Sequence, residues 1–322
     1  MRAYNSQSVT RGGSRTVNSQ AIIECVPNFS EGTEVGKVKR IVAAMRMDGV
    51  RLLDWSLDTA HNRSVVTIAG SPDAVVESAV RAAGKAAELI DLTQQSGVHP
   101  RIGAADVIPF IPVSGASLAD CAVLARQAGL LVWRRYGVPV YFYGAAAARP
   151  DRVQLEDVRR GQFEGLREAV RKDAARRPDI GGPELHETAG ASAVGARSFL
   201  IAYNVHLHEP DVTAARAIAR DIRASNGGLH GVKALGVFAN GRAQVTMNIT
   251  DHRTTPMPKV YARLLELARR HGAHLEESEL IGLIPQDAYE PGAEWIMRIP
   301  NFDPELKVLE RRLERPLEWE KE

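Results

Sequence analysis

The chain has 322 residues, about twice the length of a common domain of ~150 residues, which favours two domains. Hydrophobic residues make up 44% and charged residues 25% of the sequence, values typical of a globular protein and not of a disordered one. Lys and Arg number 41 against 39 Asp and Glu, so the overall charge gives no reason to expect binding to nucleic acid or to a membrane surface.

The cysteine and hydropathy patterns exclude further classes. Cys25 and Cys121 are too few for a disulfide framework or a four-thiolate zinc site, and reduced thiols predict a cytoplasmic protein. No apolar run reaches the roughly 18 residues of a membrane-spanning helix. Residues 1–20 contain Arg and Ser without an apolar segment, which excludes a secretory signal there. They superficially resemble an organellar transit peptide, but we favour a disordered extension.

The first half of the chain predicts a β-α-β-β-α-β order, which is the order of a ferredoxin-like unit. Its predicted elements are a strand at 22–30, a helix at 30–45, strands at 50–54 and 63–69, an Ala-rich helix at 72–92 and a strand at 105–113. A helix at 118–128 and a buried strand at 138–143 follow. The many charged residues from 149 to 177 predict a solvated helical face.

A cluster of Pro and Gly at 178–183, with further glycines at 190 and 195, marks a long loop region. After it the same order returns, with strands at 199–207, 232–240, 243–250 and 279–285 and helices at 212–224 and 259–271. The fold class is therefore α/β (α+β), with two ferredoxin-like subdomains of mixed sheets and helices and a cleft between them. We expect an N-terminal subdomain at 21–196 and a C-terminal subdomain at 197–322.

The segment 97–107 is the most informative one for chemistry. It places the imidazole of His99, the guanidinium of Arg101 and the carboxylate of Asp106 within eight residues. A loop histidine that titrates near neutral pH suits proton transfer, Arg101 suits a two-pronged contact with a substrate carboxylate, and Asp106 suits the orientation of a cation. A loop histidine that only bonds the backbone is an equally good interpretation of the composition alone.

Two other polar clusters lie next to predicted strands. The turn 58–63 offers a carboxylate, an imidazole, an amide and a guanidinium side by side, as a site for a polar zwitterion requires, although turn chemistry also explains Asp58 and Asn62. Asn28 and Ser30 follow the first strand, where α/β sheets often bind ligands, but a helix cap or turn explains them as well.

The loop 182–190 contains small residues that let a backbone approach a flat ligand closely. It lacks the Lys and Ser/Thr spacing of a phosphate-binding loop, so no nucleotide site is indicated. His206 and His208 alternate on a predicted strand, but no pair has the spacing of a helical zinc motif, and we do not expect a metal.

Several long segments, in order, make the sequence resemble the glutamate formimidoyltransferases, the folate enzymes of histidine breakdown, from about Ile23 to Pro285. The matching segments are ECVPNFSEG at 24–32, HNRSV at 61–65, HPRIGA at 99–104, VGARSFLIAYN at 194–204 and QVTMNITD at 244–251. The resemblance implies a two-subdomain α/β enzyme, usually a homodimer. It implies transfer of the formimino group of N-formimino-L-glutamate to N5 of tetrahydrofolate, which is the co-substrate, without a metal.

The resemblance also implies roles for individual residues. The family's catalytic histidine falls on His99, and a folate contact in the helix after the loop falls on Asp221. The family's folate-binding loop falls on Gly182, Pro183, Glu184, Leu185, His186, Glu187, Thr188, Ala189 and Gly190. For the amino-acid substrate we expect Arg63 and Arg101 as carboxylate anchors, with a polar lining of Asn28, Asp58, His61 and Asn62.

Three alternatives stay open from the sequence. A formyl-transferring enzyme that uses 5-formyltetrahydrofolate and glutamate has the same requirements, because formyl and formimino differ only as oxygen and nitrogen. A non-catalytic folate-binding protein is compatible with the fold, and a metal-dependent hydrolase with the histidines. We expect no fused cyclodeaminase domain, because little sequence follows the second half.

Overall fold

A computed structural model describes residues 17–97, 99–239 and 241–319. Within them the strands are β1 (Ile22–Cys25), β2 (Asn28–Phe29), β3 (Val50–Asp58), β4 (Arg63–Gly70), β5 (Ala105–Ser114), β6 (Val140–Gly144), β7 (Ser192–Ala196), β8 (Ile201–Leu207), β9 (Val232–Ala239), β10 (Arg242–Ile249) and β11 (Leu275–Ile281). The α-helices are α1 (Val35–Ala44), α2 (Pro72–Leu89), α3 (Leu118–Tyr136), α4 (Leu155–Val158), α5 (Gln162–Lys172), α6 (Val212–Ile222), α7 (Met257–Arg270), α8 (Ala293–Ile296), α9 (Pro304–Lys307) and α10 (Leu309–Glu314).

The extension predicted to be disordered, 1–20, lies outside the described residues except for its last four. There, Val17 packs against the first hydrophobic core, and the Ala21 amide donates to the Asn18 carbonyl at 3.0 Å. No helix among the described residues has the length and apolar character needed to cross a membrane.

The first sheet contains the predicted ferredoxin-like order. β3 pairs with β4, β4 with β1, and β1 with β5, all antiparallel. The strand predicted at 22–30 is split into β1 and β2, because Pro27 has no N–H to donate to a ladder. The sheet continues beyond β5 with β7 and then β6, both parallel. The strand β7 was missed, because the prediction placed it in the long glycine-containing loop.

Both faces of the first sheet are covered, so its added strands bury side chains on both sides. Along β6, Val140 and Phe142 join the large core beneath α1, α2 and α3, whereas Tyr141 and Tyr143 join a second core beneath α4 and α5. This alternation is the normal two-residue period of a strand between two layers. Burial of each large apolar side chain contributes roughly 1.5–3 kcal/mol.

The second sheet has four antiparallel strands in the order β11-β8-β10-β9, which is again the ferredoxin-like order. The amphipathic helices α6 and α7 cover one face, with Ile218 and Leu264 fully buried beneath them. The predicted fold class of two α+β subdomains is therefore confirmed.

The second sheet turns its helix-free face toward the first subdomain. Lys233 of β9 points away from the core of α6 and α7 and reaches Glu156 of α4, with an Nζ to Oε1 distance of 2.8 Å. The helix α10, which lies in the range predicted for the C-terminal subdomain, packs on β3 of the first sheet, where Arg312 Nε donates to the Leu53 carbonyl at 2.7 Å. The two halves therefore contact each other through α4 and through α10.

Candidate active site

Three polar side chains meet where β2, β4 and β5 lie side by side. Because β2 pairs with both β4 and β5, Asn28 is in register with Val65 on one side and Val107 on the other. Arg63 Nε donates to Asn28 Oδ1 at 3.0 Å, and Arg63 Nη1 donates to Asp106 Oδ2 at 2.9 Å. The structure thus brings together Asn28 and Arg63, two of the predicted substrate-binding residues.

Asp106 is the buried anion of this group. Its side chain is fully buried, and its other oxygen accepts a hydrogen bond from the Ile102 amide at 2.8 Å. Arg159 Nη2 lies 2.7 Å from Oδ2, the same oxygen that Arg63 contacts. Burial alone would raise the pKa of Asp106, but the charges of Arg159 and Arg63 outweigh it and hold that pKa below its usual range. One ionised carboxylate therefore forms ion pairs with two guanidinium groups.

His99, the predicted catalytic residue, lies against this group. Its Nδ1 is 2.9 Å from the Pro100 carbonyl oxygen and 3.3 Å from Arg63 Nη1. The Pro100 carbonyl is the nearer partner and can only accept, so we assign the proton to Nδ1 and the lone pair to Nε2; the contact with Arg63 is then a close approach of two N–H groups and not a hydrogen bond. Burial, followed by the charges of Arg63 and Arg159, lowers the pKa of His99 to about 3. His99 is therefore a neutral imidazole at neutral pH, and its pKa is well below the near-neutral value that its loop position predicted.

A second imidazole lies beside the first. The ring centroids of His61 and His99 are 6.1 Å apart at an interplanar angle of 68°. His61 Nδ1 is 2.6 Å from Asp58 Oδ2, so the predicted residues Asp58 and His61 form a hydrogen-bonded pair at the edge of the group. Asn62 belongs to the same turn but bonds to backbone, accepting from the Gly32 amide at 2.9 Å and donating to the Ser96 carbonyl at 3.0 Å.

Arg101 lies in the same loop as His99, but its guanidinium is occupied elsewhere. The side chain is buried, and Nη2 donates to the Gln95 carbonyl at 2.6 Å and to Glu164 of α5 at 3.0 Å. These contacts hold the loop before His99 against α5. The hydrogen bonds of the Arg101 side chain go to Leu92, Gln95 and Glu164 and not to Asp106 or His99. Its role as a carboxylate anchor stays a prediction.

The predicted folate loop, 182–190, is hydrogen-bonded to both sides of the His99 segment. The Thr188 carbonyl accepts from the Leu92 amide and the Ala189 carbonyl from the Ala104 amide, each at 2.9 Å. Gly190 has a φ of 68°, and a Cβ there would lie 2.1 Å from the Ile102 carbonyl oxygen, so only glycine fits this crossing. The end of the loop nearest β7 is therefore hydrogen-bonded to residues before and after His99 in the chain.

In the middle of this loop, the described contacts of His186 and Glu184 are not with the group around His99. His186 Nδ1 accepts from the Ala189 amide at 3.1 Å, and the ring lines a separate cavity of about 550 Å³ with Tyr136 and the helix α2. Glu184 is exposed and pairs with Arg171 on α5 at 3.5 Å.

The remaining predicted folate contact, Asp221, is not brought to this group. It lies on α6, which covers the far face of the second sheet, and it pairs with His271 at 2.9 Å. This position is remote from the face that the second sheet turns toward α4.

Arg159 is the residue that sequence reasoning missed. It belongs to the charged run 149–177, which we expected to be a solvated helical face, and for Arg152 and Arg159 that prediction was wrong: their side chains are 5% and 11% exposed. Arg152 pairs with Asp179, whereas Arg159 turns inward to Asp106. Charge pattern alone does not separate Arg159 from its neighbour Arg160, whose side chain is 75% exposed. Among the described residues, no group of three or more His, Cys, Asp or Glu side chains is arranged to hold a metal ion.

Comparison with known proteins decides the family. Residues 22–197 match the family model for the formiminotransferase domain, N-terminal subdomain, and residues 202–306 match the model for the formiminotransferase domain. The chain belongs to the formiminotransferase family.

Relatives in this formiminotransferase family cover nearly the whole chain. It is similar to a glutamate formimidoyltransferase of Thermoplasma acidophilum, with 42% identity over 93% of this chain and 100% of the relative. A glutamate formimidoyltransferase of Streptococcus pyogenes is 40% identical over 91% of this chain and 98% of the relative. A formimidoyltransferase-cyclodeaminase of Gallus gallus is 38% identical over 86% of this chain but only 52% of its own length. The matched region thus corresponds to the full length of the first two relatives and to about half of the third.

Proposed function

We propose that this chain is a glutamate formimidoyltransferase that moves the formimino group of N-formimino-L-glutamate to N5 of tetrahydrofolate. Its products are 5-formiminotetrahydrofolate and L-glutamate. The proposal rests on family membership together with one observation: His99 is a neutral imidazole with a free Nε2, and its ring lies against a group of cationic side chains. The cationic side chains bind an anionic substrate beside the imidazole. The charge of that substrate offsets those of Arg63 and Arg159, which lower the pKa of His99 from 6.5 after burial, so substrate binding makes Nε2 a stronger base.

The reaction needs one proton to leave N5 and one to reach the departing nitrogen. N5 attacks the formimino carbon, the N5–C bond forms, and the C=N electron pair moves to the terminal nitrogen of the resulting tetrahedral intermediate. His99 Nε2 takes the N5 proton and then donates it to the glutamate nitrogen as the C–N bond to glutamate breaks and C=N reforms. The Pro100 carbonyl, which accepts from Nδ1, orients the ring for both steps.

The charges near His99 favour the second of these transfers. Once protonated, the imidazolium lies 3.3 Å from a guanidinium nitrogen of Arg63, so it is a strong acid that readily releases its proton. Binding both substrates next to the same imidazole supplies further acceleration by proximity.

The substrate contacts belong to the same proposal. Asn28, Asp58, His61 and Arg63 line the group around His99 and are proposed to bind formiminoglutamate. The loop 182–190 is proposed to bind folate, and its hydrogen bonds to Leu92 and Ala104 support this, because they place it beside the His99 segment. The contact between Asp221 and folate has no such support.

The assembly and the compartment are also proposals. The exposed apolar side chains of the edge strand β9, Leu235 and Phe238, lie on opposite faces of the sheet and form no common patch, so the homodimer is proposed from family membership alone. The free, buried thiols of Cys25 and Cys121 support a cytoplasmic location. Light scattering after size exclusion tests the dimer.

The decisive experiment follows 5-formiminotetrahydrofolate spectroscopically in a mixture of N-formimino-L-glutamate and tetrahydrofolate. Parallel reactions with 5-formyltetrahydrofolate and glutamate test the formyl alternative. The variant His99→Gln removes the base and should lower kcat by at least about 100-fold, the usual contribution of general acid–base catalysis. The control His274→Gln alters an exposed histidine that is hydrogen-bonded to Glu209 and should keep wild-type turnover. Near-normal turnover in His99→Gln would remove His99 from the mechanism.

A further inference from the structure

Arg159 is a buried cation with unused hydrogen-bonding capacity. Its Nη2 is paired with Asp106 Oδ2 at 2.7 Å, whereas its Nε is buried and without a hydrogen bond. Arg63, by contrast, donates from Nε to Asn28 and from Nη1 to Asp106. Buried donors are nearly always satisfied in folded proteins, so this pattern requires an explanation. A bound acceptor provides one.

The charges around Arg159 point to the sign of that acceptor. Arg63 and Arg159 share one carboxylate, Asp106, and His99 is neutral, which leaves one positive charge without a partner. Glu156, on the same short helix segment as Arg159, is held at 2.8 Å by Lys233 from the second sheet. At the opposite side, the Asp58 carboxylate is hydrogen-bonded to the backbone and ring of His61 and not to Arg63 or Arg159. Among the described contacts of Arg63 and Arg159, Asp106 is thus the carboxylate that both share, and one bound anion would balance the second guanidinium.

We propose that Arg159, together with Arg63, binds the α-carboxylate of formiminoglutamate and so determines the enzyme's preference for an amino-acid donor. The assignment rests on the proposed function. Both arginines contact Asp106, and Arg63 also contacts His99, so they lie beside the reacting atoms. The α-carboxylate is two bonds from the reacting nitrogen and stays close to it in every conformation, whereas the γ-carboxylate does not. A guanidinium pair matches the two oxygens of a carboxylate.

The test uses Arg159→Gln and Arg159→Lys, with Arg160→Lys as a matched control from the adjacent exposed position. Donors are N-formimino-L-glutamate and its α-amide and γ-amide analogues, each at saturating tetrahydrofolate. In Arg159→Gln we expect kcat/KM for formiminoglutamate to fall about tenfold to a hundredfold, as loss of a charge-assisted hydrogen bond implies. The decrease in kcat/KM should come from a higher KM for the donor, whereas KM for tetrahydrofolate should stay within about threefold of the wild-type value.

The amide analogues separate binding from a purely structural role. Wild type should discriminate strongly against the α-amide, and Arg159→Gln should lose that discrimination while still rejecting the γ-amide. Two results would show that Arg159 only neutralises Asp106. One is an equal decrease in kcat/KM for all three donors, and the other is a ratio of kcat/KM for formiminoglutamate to that for the α-amide that is the same in Arg159→Gln as in wild type. Loss of the γ-amide discrimination instead would show that the wrong carboxylate was assigned.

Two further measurements keep the inference distinct from folding and from the proposed function. Arg159→Lys keeps a charge opposite Asp106, so it should fold even where Arg159→Gln does not, and it should show an intermediate rise in donor KM because Lys lacks the planar fork. Calorimetric binding of formiminoglutamate tests the anchor without turnover. If wild type binds formiminoglutamate more tightly than both variants but transfers nothing, the proposed function fails and the anchor stands. Equal binding by wild type and both variants overturns the anchor.

Discussion

The depressed pKa of His99 has a measurable effect on the stability of the protein. Burial, with the charges of Arg63 and Arg159, places the pKa at about 3 in the folded chain against an ordinary 6.5. Below pH 6.5 the unfolded chain therefore binds a proton at this position that the folded chain does not. Stability falls as pH falls wherever the unfolded state binds more protons, so His99 destabilises the fold progressively from pH 6.5 down to about 3.

The size of the effect follows from the two pKa values. Between pH 7 and pH 5 the unfolded state titrates almost completely at 6.5 while the folded state stays neutral, which costs about 2 kcal/mol at 1.36 kcal/mol per pH unit. Other titrating groups also change stability over this range. The variant His99→Gln removes the His99 contribution and leaves those groups in place.

The assay is urea unfolding of wild type and His99→Gln at pH 5, 6, 7 and 8. We expect the free energy of unfolding of wild type, minus that of the variant, to fall by about 2 kcal/mol from pH 7 to pH 5. A difference that changes by less than about 0.5 kcal/mol would refute the reasoning, because His99 would then titrate at its ordinary value in the folded chain.

Three further predictions concern buried groups. Burial raises the pKa of Glu24 to about 7, so the stability of wild type relative to Glu24→Gln should fall by about 2.5 kcal/mol as pH rises from 5 to 8, and a rise instead would contradict this. A Cβ at Gly32 would lie 2.4 Å from the Arg63 backbone nitrogen, so Gly32→Ala should cost about 1–3 kcal/mol in urea unfolding and also reduce transfer. Asp106→Asn removes the buried anion between two guanidinium groups and should cost about 3–5 kcal/mol, whereas Asp157→Asn, at an exposed pair, should cost under about 1 kcal/mol; equal costs would be inconsistent with burial as the cause.

Hydrophobic periodicity was sufficient to predict most elements of both subdomains, and the errors have physical causes. The helix predicted to end at 128 continues to Tyr136, where Gly137 in the left-handed conformation ends it. Gly129 lies inside this helix because of packing: a Cβ there would lie 2.7 Å from the ring of Phe142. The strand β7 is built from small residues because Gly195 packs against the Tyr143 ring. Such contacts between distant segments override local propensity.

The polar group around Asp106 was predictable where its residues lie close together in the chain. The segment 97–107 and the turn 58–63 were both recognised, and the structure joins them through Arg63 and Asp106. Arg159 was missed because its partner is 53 residues away and its neighbours carry the same charge. Arg101 was given an anchoring role because of its position beside His99, although its side chain turns to Gln95 and α5.

The hydrogen bonds between the loop 182–190 and the segment around His99 set an order of events during protein synthesis. The amides of Leu92 and Ala104 can find their partners only after Thr188 and Ala189 have been added. A nascent chain that ends before these residues already contains the histidine, both of its arginine neighbours and Asp106, but not the backbone frame around them. The backbone frame around His99 is therefore completed only after Ala189 has been added to the chain.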